Sequence, residues 1–171
     1  ISNILNLSDK NNIKHIGIGV PELINNRGII KGNYNFNWNN KNLVNYFPKN
    51  YKVNVDSDVR CHLRAEKYFG VAKNYKNFAY INIGTGLSYA HFKDKKIYSG
   101  AKGYAIHFAS SKISLYDWKK NKKISLIPEE YYSGKDLIKI HAIKNKNKKN
   151  KILNNVAESL ASLIGLLINT I

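Results

Sequence analysis

One stretch constrains the fold most, because in it a strand passes directly into a helix. Residues 53–56 (Val-Asn-Val-Asp) alternate apolar with polar side chains, which is typical of a half-buried strand. Residues 60–69, with Leu63 facing inward, predict a helix. Asp58 falls at the junction, where a carboxylate can accept hydrogen bonds from the first N–H groups of the helix. This order predicts an α/β chain with an acidic side chain at the end of a strand.

A glycine-rich turn follows the next strand. Residues 79–83 (Ala-Tyr-Ile-Asn-Ile) are mostly apolar and lead straight into Gly84-Thr85-Gly86. Two glycines around a threonine allow backbone N–H groups to approach a phosphate. Glycines at strand ends are also common turn residues, so this motif alone is a weak signal. Asp58 and the turn together are a stronger signal than either one.

The charge of the chain is strongly positive, with a formal net charge of +17 at pH 7. Such a charge is typical of proteins that bind nucleic acids or anionic membranes. Here almost all the excess is lysine, since Arg27, Arg60 and Arg64 are the only arginines. Lysine, asparagine and isoleucine are enriched together, as an A+T-rich coding sequence would impose. We therefore expect a solvated basic surface, not a nucleic-acid-binding one, with substrate phosphates gaining modestly from the positive field.

Cysteine and methionine usage give two further limits. The single cysteine, Cys61, excludes a disulfide within the chain and a cysteine-based zinc cage. A membrane-spanning helix needs an apolar run of about 18 residues, and no uninterrupted run of that length occurs, so we expect a soluble cytoplasmic protein. Methionine is absent, which favours a processed product or a segment of a longer protein.

The second half of the chain is less regular. Residues 110–127 show no clear periodicity, and residues 128–130 (Pro-Glu-Glu) favour the start of a helix. Residues 144–151, rich in lysine and asparagine, predict an exposed connection. Residues 152–167 repeat apolar side chains every three or four positions, which predicts a helix. Gly165 inside that helix would permit a close packing contact.

Several short motifs follow one another in order along the chain. They are IGIGV at 16–20 with Pro21, Trp38, VDSD at 55–58, Glu66, Phe69-Gly70, NIGTG at 82–86, Gly100, Gly103 and EEYYSG at 129–134. Their order and spacing resemble the ROK family, which comprises sugar kinases and related sugar-responsive repressors. The resemblance covers residues 4–171, and agreement among separate motifs is more specific than any one of them.

The resemblance implies an architecture. ROK proteins have an actin-like (ribonuclease H-like) ATPase fold, an α/β fold with two lobes of mixed sheet and flanking helices. Residues 1–72 would then be part of the N-terminal lobe and residues 73–171 part of the C-terminal lobe. The first phosphate loop of the family would precede residue 1, and the strand that contacts adenosine would follow residue 171. We therefore expect a fold that is incomplete at both ends.

The resemblance also implies a reaction. In ROK kinases an aspartate at the position of Asp58 is the general base, which takes the proton from a hexose or amino-sugar hydroxyl that attacks the γ-phosphate of ATP. Gly84, Thr85 and Gly86 match a phosphate-binding loop and would hold the ATP phosphates. ATP and Mg²⁺ are the implied cofactors. Asp58 and the loop would face one cleft.

Four residues match sugar-contacting positions of the family. These are Ser57, Asp58, His107 and Glu129. Glu129 matches a glutamate that hydrogen-bonds the sugar, and His107 matches a histidine that reaches sugar hydroxyls and, in many members, zinc. From the residues alone, the apolar neighbours of His107 favour a core or edge histidine.

The chain departs from the family pattern at several of these points. Ser57 stands where an asparagine usually binds the sugar, and a hydroxyl is shorter and has fewer donors. Glu22 replaces a glycine after Pro21, while Tyr104 and Ile106 replace the glutamate and glycine of the family's histidine motif. The cysteine cluster that binds zinc is missing, so we expect neither structural zinc nor another metal held by protein side chains.

Three functions remain open. The first is a sugar kinase, supported by Asp58 and the glycine turn. The second is a non-catalytic sugar-binding effector domain of a ROK-type transcriptional regulator, and the third is a degenerate kinase remnant. The implied partner is a small-molecule sugar, and a homodimer is an expectation from the family alone.

Overall fold

A computed structural model describes residues 1–170. In chain order its elements are α1 (Ser2–Lys10), β1 (His15–Val20), β2 (Lys52–Ser57), α2 (Asp58–Tyr68), β3 (Phe78–Ile83), β4 (Leu87–Lys93), β5 (Lys96–Tyr98), β6 (Ile113–Asp117), β7 (Lys122–Leu126), α3 (Glu129–Tyr132), α4 (Gly134–His141) and α5 (Lys146–Thr170). The chain forms two compact units. The first contains Ile1–Tyr80 and Ala90–Ile106, and the second contains Ile81–Tyr89 and the residues from His107 onward. The lobe boundary after residue 72 stays a prediction.

The first unit contains a parallel pair of strands whose ends fix the position of Asp58. Strand β1 pairs with β2 in step, from His15 opposite Lys52 to Val20 opposite Ser57. Because the carboxyl ends of parallel strands meet at one edge, the residues that follow Val20 and Ser57 start from the same edge of this sheet. The predicted passage from strand to helix is confirmed, although α2 begins at Asp58, two residues earlier than expected.

Two apolar clusters form the core of this unit. Val59 and Leu63 of α2 are buried against Ala90, Phe92 and Ile106. A second cluster lies beside β1 and is formed by Val20, Ile24 and Ile30. Helix α2 therefore buries one apolar face in this core, and its first turn, with Asp58, lies at the edge of the β1–β2 sheet.

The second unit is organised around α5. Val156 and Leu160 of this helix are buried together with Leu87 and Ala109. These buried residues belong to the apolar repeat that predicted the helix, so the apolar face of α5 is the face that packs against the rest of the unit. Strands β6 and β7 form an antiparallel hairpin with Ile113 opposite Leu126, in the stretch where the sequence showed no periodicity.

Residues 144–151 are mostly exposed, as predicted, but the predicted connection is wrong because α5 begins at Lys146. Asn145 explains the early start. Its side-chain oxygen accepts the N–H of Lys148 at 2.9 Å, and its carbonyl accepts the N–H of Lys149 at 2.9 Å. A cap of this kind satisfies N–H groups that the first turn leaves without partners, so a polar lysine-rich segment can still be helical.

Helix α5 is also long and apolar enough, by length and composition alone, to cross a membrane. Core helices of soluble proteins pass the same test. Only 17% of the apolar window of α5 is buried within the described residues, and a single helix of this kind is weak evidence for a membrane span.

The expected close contact at Gly165 is absent from the described structure, where nothing lies within 4 Å of a Cβ built on this glycine. Gly165→Ala is therefore expected to raise the free energy of unfolding by about 1 kcal/mol, because alanine has the higher helix propensity. Urea denaturation of both proteins measures the difference. Ala161→Gly, at an exposed position of the same helix, should give a loss of similar size. A destabilised Gly165→Ala protein would show that the space beside Gly165 is occupied in solution.

Candidate functional site

Asp58 is the first residue of α2 and is half-buried. Its Oδ1 accepts the N–H of Val59 at 2.7 Å. Within residues 1–170 its second carboxylate oxygen, Oδ2, accepts no hydrogen bond. The carboxylate is thus held at the start of the helix by one of its two oxygens.

Ser57, directly before Asp58, is in a different environment. Its side chain is 0% exposed. Its hydroxyl is a buried polar atom with no hydrogen-bond partner in the described part of the chain. A buried hydroxyl without a partner costs free energy, so such groups are usually satisfied by water or a ligand. A ligand can reach this hydroxyl only through a buried water or after a local movement, and direct sugar contact by Ser57 stays a prediction.

An ion-pair network that sequence reasoning missed fixes the junction around Asp58. The carboxylate of Asp56, near the end of β2, accepts a hydrogen bond from Arg60 Nε–H at 2.6 Å. It also forms ion pairs with Nη2 of Arg60 and Nη2 of Arg64, each at 2.6 Å. Arg60 is 4% exposed and also donates to the carbonyl oxygens of Gly103 at 2.8 Å and Ile24 at 3.4 Å. A single guanidinium therefore connects a strand, a helix and two loops. The signal in the sequence was the spacing of four between Asp56 and Arg60.

The buried side chain of Glu22 forms a set of hydrogen bonds that the sequence did not predict. Its side chain is 3% exposed. Its carboxylate accepts the backbone N–H groups of Tyr34 at 3.2 Å, Asn35 at 2.6 Å and Phe36 at 3.1 Å. A Cβ on Gly32 would lie 2.1 Å from Glu22 Oε2, so glycine there makes room for the carboxylate. Glu22, which replaces a glycine of the family pattern after Pro21, therefore supplies a buried carboxylate that orders residues 34–36.

Glu22→Ala is expected to lower the free energy of unfolding by about 1–3 kcal/mol, because three N–H groups lose their acceptor. Glu22→Gln should lose less, since its amide oxygen can still accept some of these bonds. Urea denaturation of the two variants measures the difference. Equal stability of Glu22→Ala and the unmodified protein would mean that water replaces the carboxylate without cost.

Residues 84–86, which we name the GTG loop, connect β3 to β4. The N–H of Gly84 donates to the carbonyl of Gly86 at 3.0 Å, so this donor is already used within the loop. Thr85 is exposed. Phosphate binding by this loop would therefore depend on the N–H groups of Thr85 and Gly86 and on the Thr85 hydroxyl.

Glu129 explains why Gly86 is a glycine. It is the first residue of α3 and half-buried, and its Oε1 accepts the N–H of Leu87 at 2.7 Å. A Cβ on Gly86 would lie 2.5 Å from the same oxygen. The backbone N–H of Glu129 donates to the carbonyl of Ala109 at 3.0 Å. The glycine therefore permits a close approach of this carboxylate to the backbone next to the GTG loop.

His107 is exposed and forms an isolated antiparallel bridge with Ser88. Of the two positions that its apolar neighbours favoured, the edge position is the one observed. An exposed imidazole is accessible to a ligand, but its role in sugar binding stays a prediction.

Cys61 lies one turn after Asp58 on α2. Its Sγ would be 3.4 Å from a Cβ on Gly19, which places the thiol against β1. Burial, with a smaller contribution from the charge of Asp56, raises the pKa of this thiol. Its chemistry is therefore that of a packed, neutral side chain.

The predicted site residues are distributed over both units. Ser57 and Asp58 belong to the first unit, while the GTG loop, His107 and Glu129 belong to the second. That Asp58 and the GTG loop face one cleft stays a prediction. No group of three or more His, Cys, Asp or Glu side chains that could hold a metal occurs within residues 1–170.

Comparison with known proteins identifies a matching protein family and several similar proteins. Residues 4–109 match the model of the ROK family. A xylose repressor of Bacillus subtilis is 33% identical over 92 residues, which are 53% of this chain and 24% of the repressor. A glucokinase of Thermotoga maritima is 31% identical over 88 residues, which are 49% of this chain and 28% of the glucokinase. The chain thus spans about a quarter of the length of these curated relatives.

The solved structures give the fold. A ROK family glucokinase from Streptomyces griseus, in complex with glucose and AMPPNP, matches with a TM-score of 0.66 at 20% identity. The match covers 81% of this chain and 46% of that protein. The predicted α/β fold of the actin-like ATPase type is confirmed.

Proposed function

The chain belongs to the ROK family, and on that premise we propose that it forms part of an ATP-dependent sugar kinase. The observation that carries the proposal is the position and the hydrogen bonding of the Asp58 carboxylate. Its carboxylate is half-buried at the carboxyl edge of the β1–β2 sheet, with Oδ1 held by the N–H of Val59. A general base must be held in place and still offer one oxygen to the proton that it accepts.

In this mechanism Asp58 accepts the proton of a sugar hydroxyl while the hydroxyl oxygen bonds to the γ-phosphorus of ATP. The bond between that phosphorus and the bridging oxygen breaks, and ADP leaves with the bonding electrons. Mg²⁺ bound with ATP would neutralise charge on the phosphates. Positioning of the hydroxyl and of the phosphates supplies most of the remaining rate.

The GTG loop would hold the ATP phosphates. The N–H groups of Thr85 and Gly86 and the Thr85 hydroxyl are its donors, because the N–H of Gly84 is engaged within the loop. Glu129 and His107 would contact sugar hydroxyls, with Ser57 contributing through a buried water. The net charge of +17 favours an anionic substrate such as ATP in a general way.

The remaining features of the proposal follow from the family. We propose lobes at residues 1–72 and 73–171, a cytoplasmic location, a small-molecule sugar as partner and a homodimer as the assembly. Nucleic acid is not a proposed partner of these residues. The Streptomyces griseus glucokinase was solved with glucose and the ATP analogue AMPPNP, which makes glucose a first candidate substrate.

A sugar-binding effector domain of a transcriptional regulator is the second candidate. Two observations favour it. The 33% identity to a xylose repressor is at least as high as the 31% identity to a glucokinase. Ser57, Tyr104 and Ile106 also depart from the sugar-site pattern of the kinases. A degenerate kinase remnant would share these departures, but it would bind neither sugar nor ATP.

The experiment that tests the proposal is an ATP-consumption assay on the full-length gene product with glucose, xylose, other hexoses and N-acetylated amino sugars. A kinase releases ADP only when its sugar is present. Sugar binding by calorimetry without ADP release would support the effector domain instead, and absence of both in a folded protein would support the remnant.

A further inference from the structure

Two hydrogen bonds hold the EEYYSG segment against the GTG loop. Oε1 of Glu129 accepts the N–H of Leu87 at 2.7 Å, and the N–H of Gly134 donates to the carbonyl of Gly84 at 2.7 Å. One bond lies at the beginning of the loop and the other directly after it. The backbone that would bind phosphate is therefore fixed by a segment more than forty residues later in the chain, since the pair Leu87 and Glu129 is separated by 42 residues.

Glycines at both contacts make this arrangement possible. A Cβ on Gly86 would lie 2.5 Å from Glu129 Oε1, and a Cβ on Gly134 would lie 2.7 Å from the carbonyl oxygen of Gly84. Neither contact leaves room for a side chain. The Glu129 side chain is only half-buried, and its Oε2 accepts no hydrogen bond from residues 1–170.

We propose that Glu129 couples the binding of sugar to the binding of ATP. One oxygen, Oε2, would accept a sugar hydroxyl, while the other, Oε1, positions the backbone at the GTG loop. This inference rests on the proposed kinase function, and it makes Glu129 a positioning residue for the phosphates.

The coupling follows from the rigidity of a carboxylate. Its two oxygens move together, so a sugar hydroxyl on Oε2 restricts the motion of Oε1 and of the Leu87 N–H bonded to it. ATP then binds a loop that is already ordered and loses less conformational entropy on binding. Coupling of this kind is reciprocal, because ATP must increase the affinity for sugar by the same factor.

The experiment measures the affinity of the full-length protein for Mg²⁺-AMPPNP by calorimetry, alone and with saturating glucose or xylose. In the unmodified protein one of the sugars should tighten AMPPNP binding about 5- to 150-fold. Glu129→Ala should remove this effect and weaken AMPPNP binding about tenfold even without sugar, because the loop loses its acceptor. Amide hydrogen exchange at Leu87 should become faster in the variant.

Two further variants separate positioning from a general structural role. Glu130→Ala removes an equal charge from the neighbouring, exposed position and should leave both AMPPNP affinity and coupling unchanged. Gly86→Ala should resemble Glu129→Ala, because its Cβ displaces the carboxylate. Combined with Glu129→Ala, the Gly86→Ala change should add little, since the carboxylate that it displaces is already gone.

Three outcomes contradict the inference. AMPPNP affinity unaffected by Glu129→Ala would show that Glu129 does not position the loop. AMPPNP affinity unaffected by a saturating sugar that the unmodified protein is shown to bind would show that no coupling exists. Failure of the unmodified, folded protein to bind AMPPNP at all would overturn the kinase proposal and this inference with it, and it differs from the first two because nucleotide binding itself is absent.

Discussion

Asp58→Asn is expected to lower sugar-dependent ADP release by a factor of about 10²–10⁴, the usual contribution of a general base. The fold should be unaffected. Asp58 Oδ1 accepts the N–H of Val59 at 2.7 Å, and the amide oxygen of asparagine can accept the same bond. The substitution therefore removes the proton acceptor and keeps the helix start. Steady-state kinetics and urea denaturation, measured on the same full-length preparations, separate the two effects.

Asp94→Asn is the matched control for this prediction. Asp94 is exposed and lies in the turn between β4 and β5 with a φ of +50, where asparagine is well tolerated. The same chemical change there should leave ADP release unaltered. Turnover retained by Asp58→Asn would show that Asp58 is only the first residue of a helix and that the proton goes elsewhere.

Asp56→Ala is expected to lower the free energy of unfolding by about 3–5 kcal/mol. It leaves the Arg60 guanidinium, whose side chain is 5% exposed, buried without its carboxylate partner. An uncompensated buried charge is among the most destabilising changes in a protein. Because Arg60 also donates to the carbonyls of Gly103 and Ile24, both loops should become more mobile. Urea denaturation gives the stability, and hydrogen exchange in these loops reports the local effect.

Arg64→Ala is the control for the Asp56 prediction. Its guanidinium also contacts Asp56 at 2.6 Å, but its side chain is 45% exposed. An ion pair of that exposure is worth about 0–1 kcal/mol, so this variant should be nearly as stable as the unmodified protein. Similar losses from Asp56→Ala and Arg64→Ala would contradict the role assigned to the burial of Arg60.

The parts of the fold that were predictable have strong local patterns. Alternation at residues 53–56 and the apolar face of α2 gave the passage from β2 to α2, with Asp58 at the junction. The apolar residues 79–83 before the glycine turn are confirmed as a strand, since β3 runs from Phe78 to Ile83. In β2 and α2 one side of the element is buried, so the hydrophobic period of the sequence follows the structure.

The missed features depend on contacts that composition does not reveal. Helix α5 begins at Lys146 because Asn145 caps it, and lysine-rich composition alone indicated a connection. Strands β6 and β7 expose most of their side chains on both sides, so alternation could not identify them.

For the candidate site, the sequence led to a prediction of the residues but not of their environment. Glu22 was noted as a substitution for glycine, but its three backbone partners come from residues 34–36. The burial of Ser57 results from tertiary packing, whereas the family resemblance implied only that this position contacts sugar. The bond between Glu129 and Leu87 joins two motifs that the sequence presented as separate.

The most direct test of the kinase proposal is detection of the phosphorylated sugar itself by ³¹P nuclear magnetic resonance. The full-length protein would be incubated with Mg²⁺-ATP and each sugar that releases ADP. The account predicts a sugar phosphomonoester signal that grows in proportion to ADP and is lost with Asp58→Asn. ADP accompanied only by inorganic phosphate, or no consumption of ATP in a folded protein that binds sugar, would contradict it.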